Sequence, residues 1–430
     1  MTAFLELPRT LARKALEYWR ELWVRVVAMG MAAILALALT YPVGLLMPDE
    51  WRGILAGEAA DRLLNIIANA MLAVTTFSLT VMVTVFRNAS AQWTPRIHRL
   101  AMADPTTQNT LATFIGTYVY ALLAIILREL GIFSDDKALT LFGMTVLILI
   151  FMLFSLIRWV LHLQTFGSLL SSTREIEEMA VDKLRERLDT PCLGAVPWDG
   201  VVPIGAEPIC AQQSGYVQHI YQESLNAFCE TLGVEMRMEA DIGDFVSIRT
   251  PLVWVSDKGD PTDAEVDRDL DQIVRDHIVL GDVRTHDQDP RFGLVVLSEI
   301  GSKALSPGIN DPGTAIDVLT RLERILNFYE DETKGTEPVH DRLLVRPLEA
   351  LDLLEDGFAP IVRDGAGIVE VQICVQQSLK ALRSHPAEDM QEAALTIARR
   401  ARARAGKVME HDDDIARLDK ATDKVVKQAP

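Results

Sequence analysis

The first 168 positions alternate long apolar runs with short polar breaks. Four of the runs, over 24–47, 63–86, 110–130 and 139–157, are long enough to cross a bilayer as helices. A crossing takes about 20 helical residues for roughly 30 Å of hydrocarbon. The third run carries a charge pair, Arg128 and Glu129, at its end, where long side chains reach the headgroups. One such run is also the signature of a buried core helix, but four in succession predict a membrane domain over 23–168. Ahead of them, Phe4, Leu7, Leu11, Ala15, Trp19 and Leu22 recur every three or four residues. That spacing predicts an amphipathic helix over 1–22, lying in the membrane interface or packed on the soluble part.

The second run is unusual in where its polar residues fall. Asn65, Asn69, Thr76, Thr80, Thr84 and then Arg87, with Ala73 completing the row, keep close to the helical repeat and so line one face. Two readings follow. The row lines a hydrated path, since amides and hydroxyls replace part of an ion's water shell without placing a charge in the bilayer. Alternatively, the same groups bond across helices or to their own carbonyls, at about 0.6 kcal/mol per contact. In the third run, Thr113, Gly116, Thr117 and Tyr118 form a small and polar group, with Gly116 permitting close helix approach.

After position 168 the pattern changes. Alternating charges over 172–188 predict a solvated helix leaving the membrane, within a helix-and-linker segment over 169–200. Period-two alternation at 215–221 and 234–239, a Gly243–Asp244 turn and the apolar run 251–255 predict a small β-barrel-like module over 201–260. Helical signals return over 261–430, with Asp289–Pro290 and Asp311–Pro312 as helix openers and further helices expected over 342–354 and 361–383. Between the first two, Ser306, Pro307, Gly308, Asn310, Asp311 and Pro312 make the densest turn chemistry in the chain, read as a structural or interaction loop.

Charge sharpens this division. The 430 residues are 49% hydrophobic and carry a net charge of −18, yet positions 1–168 hold 13 basic against 11 acidic residues, so the acidic excess lies in the remainder. A disordered chain and a nucleic-acid binder are both excluded by this balance. Among the short loops, Arg9, Arg13, Lys14, Arg20, Arg25, Arg87, Arg96, Arg99 and Arg158 mark one side of the membrane, while Asp49, Glu50, Glu58, Asp61, Asp135 and Asp136 mark the other. Both termini are therefore expected in the cytoplasm. Cys192, Cys210, Cys229 and Cys374 have no C-x-x-C spacing, and the phosphate-loop, dinucleotide, zinc-protease and nucleophile-elbow signatures are all missing. No enzymatic activity, metal or cofactor is expected; His286, Asp287, Asp289 and Asp311 are read as turn and capping residues rather than ligands. Arg399, Arg400, Arg402 and Arg404, close to Glu410 and Asp412 to Asp414, suggest ion pairing within or between subunits.

Several of these motifs occur together in one family. Phe77-Ser-Leu-Thr80, Ser90-Ala-Gln-Trp-Thr-Pro-Arg96, Gly116-Thr-Tyr-Val-Tyr120, Gly215-Tyr-Val217, Gly243-Asp-Phe-Val246 with Pro251-Leu252, and above all Ala304-Leu-Ser-Pro-Gly-Ile-Asn-Asp-Pro312 resemble the bacterial domain-of-unknown-function 2254 family of predicted membrane proteins. The resemblance implies a bacterial inner-membrane protein and brings no activity with it. The expectation is an α-helical membrane protein with four transmembrane helices and a cytoplasmic α+β domain, in contact with membrane lipid and assembled as a homo-oligomer. Its expected function is a channel-like passage for small ions, cations being favoured by the acidic domain, with that domain serving assembly or gating. The alternative is a non-conducting scaffold or sensor that binds a partner through its cytoplasmic domain.

Overall fold

Each apolar run forms a helix, and the second and fourth helices continue past their run at both ends. They are α1 (Leu22–Leu45), α2 (Gly57–Gln92), α3 (Pro105–Glu129) and α4 (Ala138–Leu163), all four long and apolar enough to cross a membrane. The computed structural model describes residues 22–45, 57–92, 94–96, 104–133, 138–163, 168–257, 270–334 and 337–427. Of the amphipathic helix expected over 1–22, only Leu22 falls within the described residues, as the first residue of α1. The chain divides into two compact units, Met1–Ser172 and Thr173–Pro430.

In the first unit α3 is central. It packs on each of the other three helices, and 56% of its apolar stretch is buried against 22% for each of theirs. Its start is fixed by Asp104, whose carboxylate accepts from the backbone N–H of Thr106 at 3.1 Å and Thr107 at 2.8 Å, with Pro105 at the first helical position where no donor is needed. Gly116 allows the closest approach: a Cβ there would lie 2.8 Å from the Met29 Cβ of α1. Apolar packing alone gives little orientation inside lipid. Polar ties supply it. At one end Arg25 donates to Asn109 Oδ1 at 3.0 Å, and His162 Nε2 lies 2.9 Å from Asp104 Oδ2. At the other, Arg128 donates to Asp61 Oδ1 at 2.6 Å and to the Phe133 carbonyl at 2.8 Å. Midway, the buried hydroxyls of Tyr120 and Thr145 are 3.1 Å apart.

In the second unit α5 (Leu169–Asp189) leads into β1 (Ala195–Pro197), β2 (Glu207–Cys210), β3 (Gly215–Ile220), α6 (Gln222–Leu232), β4 (Val234–Met238), β5 (Phe245–Val246) and β6 (Pro251–Asp257). Then come α7 (Leu270–His277), β7 (Ile278–Gly281), α8 (Phe292–Ala304), α9 (Pro312–Leu326), β8 (His340–Val345) and the helices α10 (Ala350–Asp364), α11 (Val369–Leu382), α12 (Glu388–Ala405) and α13 (Asp412–Val426). The strands do not close a barrel among the described residues. They form an open five-stranded sheet, β1-β8-β4-β6-β2, and an open three-stranded one, β5-β3-β7. The reason lies outside 201–260. β8 inserts beside β4 as a parallel neighbour and β7 takes the free edge of β3, so the local strands never meet end to end. Val217, Ile220, Leu225, Met236, Val253, Ile278 and Leu343 join both sheets and α6 in one apolar core.

Two further expectations give way. Residues 342–354 begin as strand β8 and become helical only from Ala350, and the helix expected over 361–383 is broken between Asp364 and Val369. α6 is an addition within the β region: Leu225 and Cys229 are buried one turn apart, and Gly233, at φ +67°, ends the helix in the left-handed conformation.

A buried ion pair fastens α5 to this unit. Arg187, in its last turn, donates to Glu332 at 2.5 and 3.1 Å, and neither side chain is more than 2% exposed. Glu332 also accepts from the backbone N–H of Cys192 at 3.1 Å and Leu348 at 2.7 Å. It thereby holds a turn in which Cys192 (φ +50°), Leu193 (φ +58°) and Gly194 (φ +76°) are successively left-handed, a conformation costing roughly 1–2 kcal/mol for each non-glycine residue.

Removing one partner of this pair strands the other charge in the core. Glu332→Ala is expected to destabilise the second unit by about 3–5 kcal/mol, read as a lowered denaturant midpoint. In the membrane unit, Gly116→Leu is expected to cost about 1–3 kcal/mol by pushing α1 from α3. Gly143→Leu, at an exposed site with nothing within 4 Å of the added Cβ, is expected to leave the thermal midpoint in detergent unchanged.

Candidate functional site: the outward face of the second helix

The row foreseen in the second run lies on α2, on the side opposite its packing face. Leu64, Ile67, Met71 and Ser78 are buried against the unit, whereas Asn65, Asn69, Ala73, Thr76, Thr80, Thr84 and Arg87 are all exposed. This follows from the 3.6-residue repeat: the polar positions and the buried positions are half a turn out of phase. Exposed Leu72, Phe77, Leu79 and Val83 flank the row.

The polar groups are bonded along the helix. Thr80 donates to the Thr76 carbonyl and Thr84 to the Thr80 carbonyl, each at 2.8 Å, and Thr76 donates to the carbonyl of Leu72 and, at 3.2 Å, of Ala73. Asn65 donates to the Asp61 carbonyl at 2.8 Å and Asn69 to that of Asn65 at 2.9 Å. Bonding to their own carbonyls satisfies the threonines. An asparagine is different. Its amide has two N–H groups and an acceptor oxygen, so one bond leaves most of its capacity unused.

One residue on this face escaped the sequence reading. Arg62 is exposed, and at 100° per residue it falls on the same row as Asn65 and Asn69. Counting the row from its first amide hid it, although extending the same spacing by one step would have found it. Asp61, its neighbour in sequence, turns instead toward α3 and pairs with Arg128.

The loop between α8 and α9 holds the other predicted residues together. Pro307, Gly308, Asn310 and Asp311 are exposed, with Ser306 and Pro312 partly so. Ser306 anchors it, accepting from the backbone N–H of Asn310 at 2.8 Å and donating its hydroxyl to the Lys303 carbonyl at 2.7 Å. Asn310 takes φ +51°, which asparagine tolerates better than most residues. Asp311 caps α9, accepting from Thr314 N–H at 3.1 Å, as the Asp–Pro pair predicted. Its carboxylate is held below the usual range by the hydrogen bonds from Thr314.

Asp289 serves the same end differently. Pro290 stays outside α8, and the Asp289 carboxylate accepts from the backbone N–H of Arg291 at 2.9 Å and Phe292 at 3.0 Å while pairing with Arg284 at 2.6 Å. Among the described residues, no three His, Cys, Asp or Glu side chains converge as a metal site. The arginines near the end of the chain pair within it: Arg400 with Glu355 at 2.5 Å, and Arg402 with Asp419.

The profile of a family described as predicted membrane protein, DUF2254, matches residues 19–381. An uncharacterized protein of Mycobacterium tuberculosis strain CDC 1551 / Oshkosh is 28% identical over 270 residues, 62% of this chain and 51% of that protein. Uncharacterized proteins of Mycobacterium bovis and of Mycobacterium tuberculosis strain H37Rv are each 27% identical over the same lengths. The chain thus spans about half the length of the curated relatives it matches. No solved structure matches it.

All four cysteines are free thiols, and three of them are buried. Burial pushes the thiols of Cys192 and Cys229 up to about 12, the negative charge of Glu332 adding to the shift at Cys192, and that of Cys374 up to about 11. A water-soluble maleimide at pH 8 is therefore expected to label the folded chain at Cys210 alone, counted by intact mass, and all four sites after denaturation.

Proposed function

The chain belongs to the DUF2254 family of predicted membrane proteins, and from that premise we propose that several copies assemble with the polar face of α2 turned toward a shared axis, forming a hydrated path for small ions. What carries this reading is the outward position of Asn65 and Asn69. An amide moved into hydrocarbon without compensating bonds costs roughly 2–7 kcal/mol. Lipid offers no partner, whereas water at a shared axis, or a second copy of the row, offers one. The threonines alone would suit lipid.

Four closely packed helices leave no room for a wide path within one copy, so the walls come from several. In this arrangement the end of the unit that carries Arg25, Arg87 and Arg158 faces the cytoplasm of a bacterial cell, by the excess of basic residues at that end. Both termini then lie on that side of the inner membrane. The acidic remainder of the chain serves assembly or gating.

A second reading, a non-conducting scaffold or sensor, draws support from the exposed and internally bonded loop around Ser306, Asn310 and Asp311, whose Ile309 is 38% exposed. Ion flux separates the two. The full chain in liposomes is expected to pass small ions, and Thr80→Trp to abolish that flux while the native mass of the assembly stays the same. A monomer, or no flux at any voltage, favours the scaffold.

A further inference from the structure

The row on α2 ends in a cation at each membrane surface. Arg62 and Arg87 are both exposed on the polar face, and among the described residues neither has a hydrogen-bond or ion-pair partner. They stand 25 residues apart, about 37 Å along a helix rising 1.5 Å per residue, which sets both at headgroup depth in a bilayer with a core of roughly 30 Å. Between them the face holds only neutral groups: Asn65, Asn69, Ala73, Thr76, Thr80 and Thr84.

The two ends differ in what offsets the charge. Glu58 lies one turn beyond Arg62 on the same face, so the outer cation has an acid beside it in sequence. Asp61 cannot serve, because it is engaged by Arg128. Near Arg87 the helix offers no acid: the last acidic residue before it in α2 is Asp61, and none follows.

We infer that the path formed by α2 selects small inorganic anions such as chloride, with Arg87 as the residue that sets the sign. This rests on the assembly proposed above. In a symmetric ring every copy contributes its Arg87 to one mouth, and a ring of arginines draws anions and repels cations. The threonine hydroxyls commit their protons to carbonyls and turn only weak acceptor dipoles toward the axis. Asn65 and Asn69 retain a free N–H each, and that group donates to an anion. The acidic excess of residues 173–430 argued for cations from sequence, but its field through water is screened within about 8 Å at physiological ionic strength. Arg87 stands on the path itself.

The test is a reversal potential across vesicles that carry the full chain under a gradient of potassium chloride. Chloride is expected to pass about a hundredfold more readily than potassium, since one unit charge about 12 Å away at an effective dielectric of 20 favours the anion about tenfold and disfavours the cation about tenfold. Arg87→Glu reverses the preference, Arg87→Lys keeps it, and Arg62→Gln weakens it, each with the native mass unchanged. A preference for potassium in the parent chain, or a ratio unmoved by Arg87→Glu, overturns the inference and leaves the path standing. Absence of flux of either ion overturns the path and the inference with it.

Discussion

Hydrogen bonds that water cannot make are the constraint behind the membrane unit. Inside hydrocarbon each donor and acceptor must find a partner in the protein, and the helices meet that demand first through their own backbones. Side chains then repeat it locally. Thr75, Thr76, Thr80, Thr84, Thr110 and Thr113 each donate to a carbonyl one turn back, so a helix carries hydroxyls at little cost. Contacts between helices are tied by polar pairs near the two ends, Arg25 with Asn109, Asp104 with His162 and Arg128 with Asp61, and midway by Tyr120 with Thr145. These fix which helix faces which, a choice that apolar packing in lipid leaves nearly free. On the outward face of α2 the amides of Asn65 and Asn69 keep bonding capacity unused, and for that reason it is the candidate site.

The second unit obeys the opposite rule. There water is abundant, so a buried charge must be compensated completely. Glu332 shows how: one carboxylate satisfies the Arg187 guanidinium and two backbone N–H groups. Asp289 does the same for Arg284 and the start of α8. Burial raises the Asp289 carboxyl, although the Arg284 guanidinium opposes that shift. Such pairs add little net stability but fix geometry, since breaking either leaves an orphan charge. The strained Cys192–Gly194 turn persists because it is tied at both ends, through the Cys192 N–H and through the Gly194 carbonyl, which accepts from Val339 at 2.9 Å.

Much of this was legible in the chain. The four spans, the polar row, the close approach at Gly116 and the cap at Asp311 each depend on residues within a few positions of one another, where periodicity and turn chemistry act directly. The barrel-like module expected over 201–260 does not appear as a closed barrel among the described residues, for the complementary reason. Strand pairing is non-local, and β4 acquired its parallel neighbour β8 from more than 100 residues downstream. Glu235 illustrates the same limit. Alternation gives β4 an outward face, yet Glu235 is 5% exposed there, its carboxylate paired with Arg237 at 2.5 Å.

The sequence by itself determined the number of membrane helices, the single polar line on the second of them and the segregation of acid into residues 173–430, because hydrophobic period and composition are local properties. The fold alone decided which way that line points. An amphipathic helix has two faces, and only the packing of Leu64, Ile67 and Met71 against the rest of the unit turned the amides, the threonines and both arginines outward.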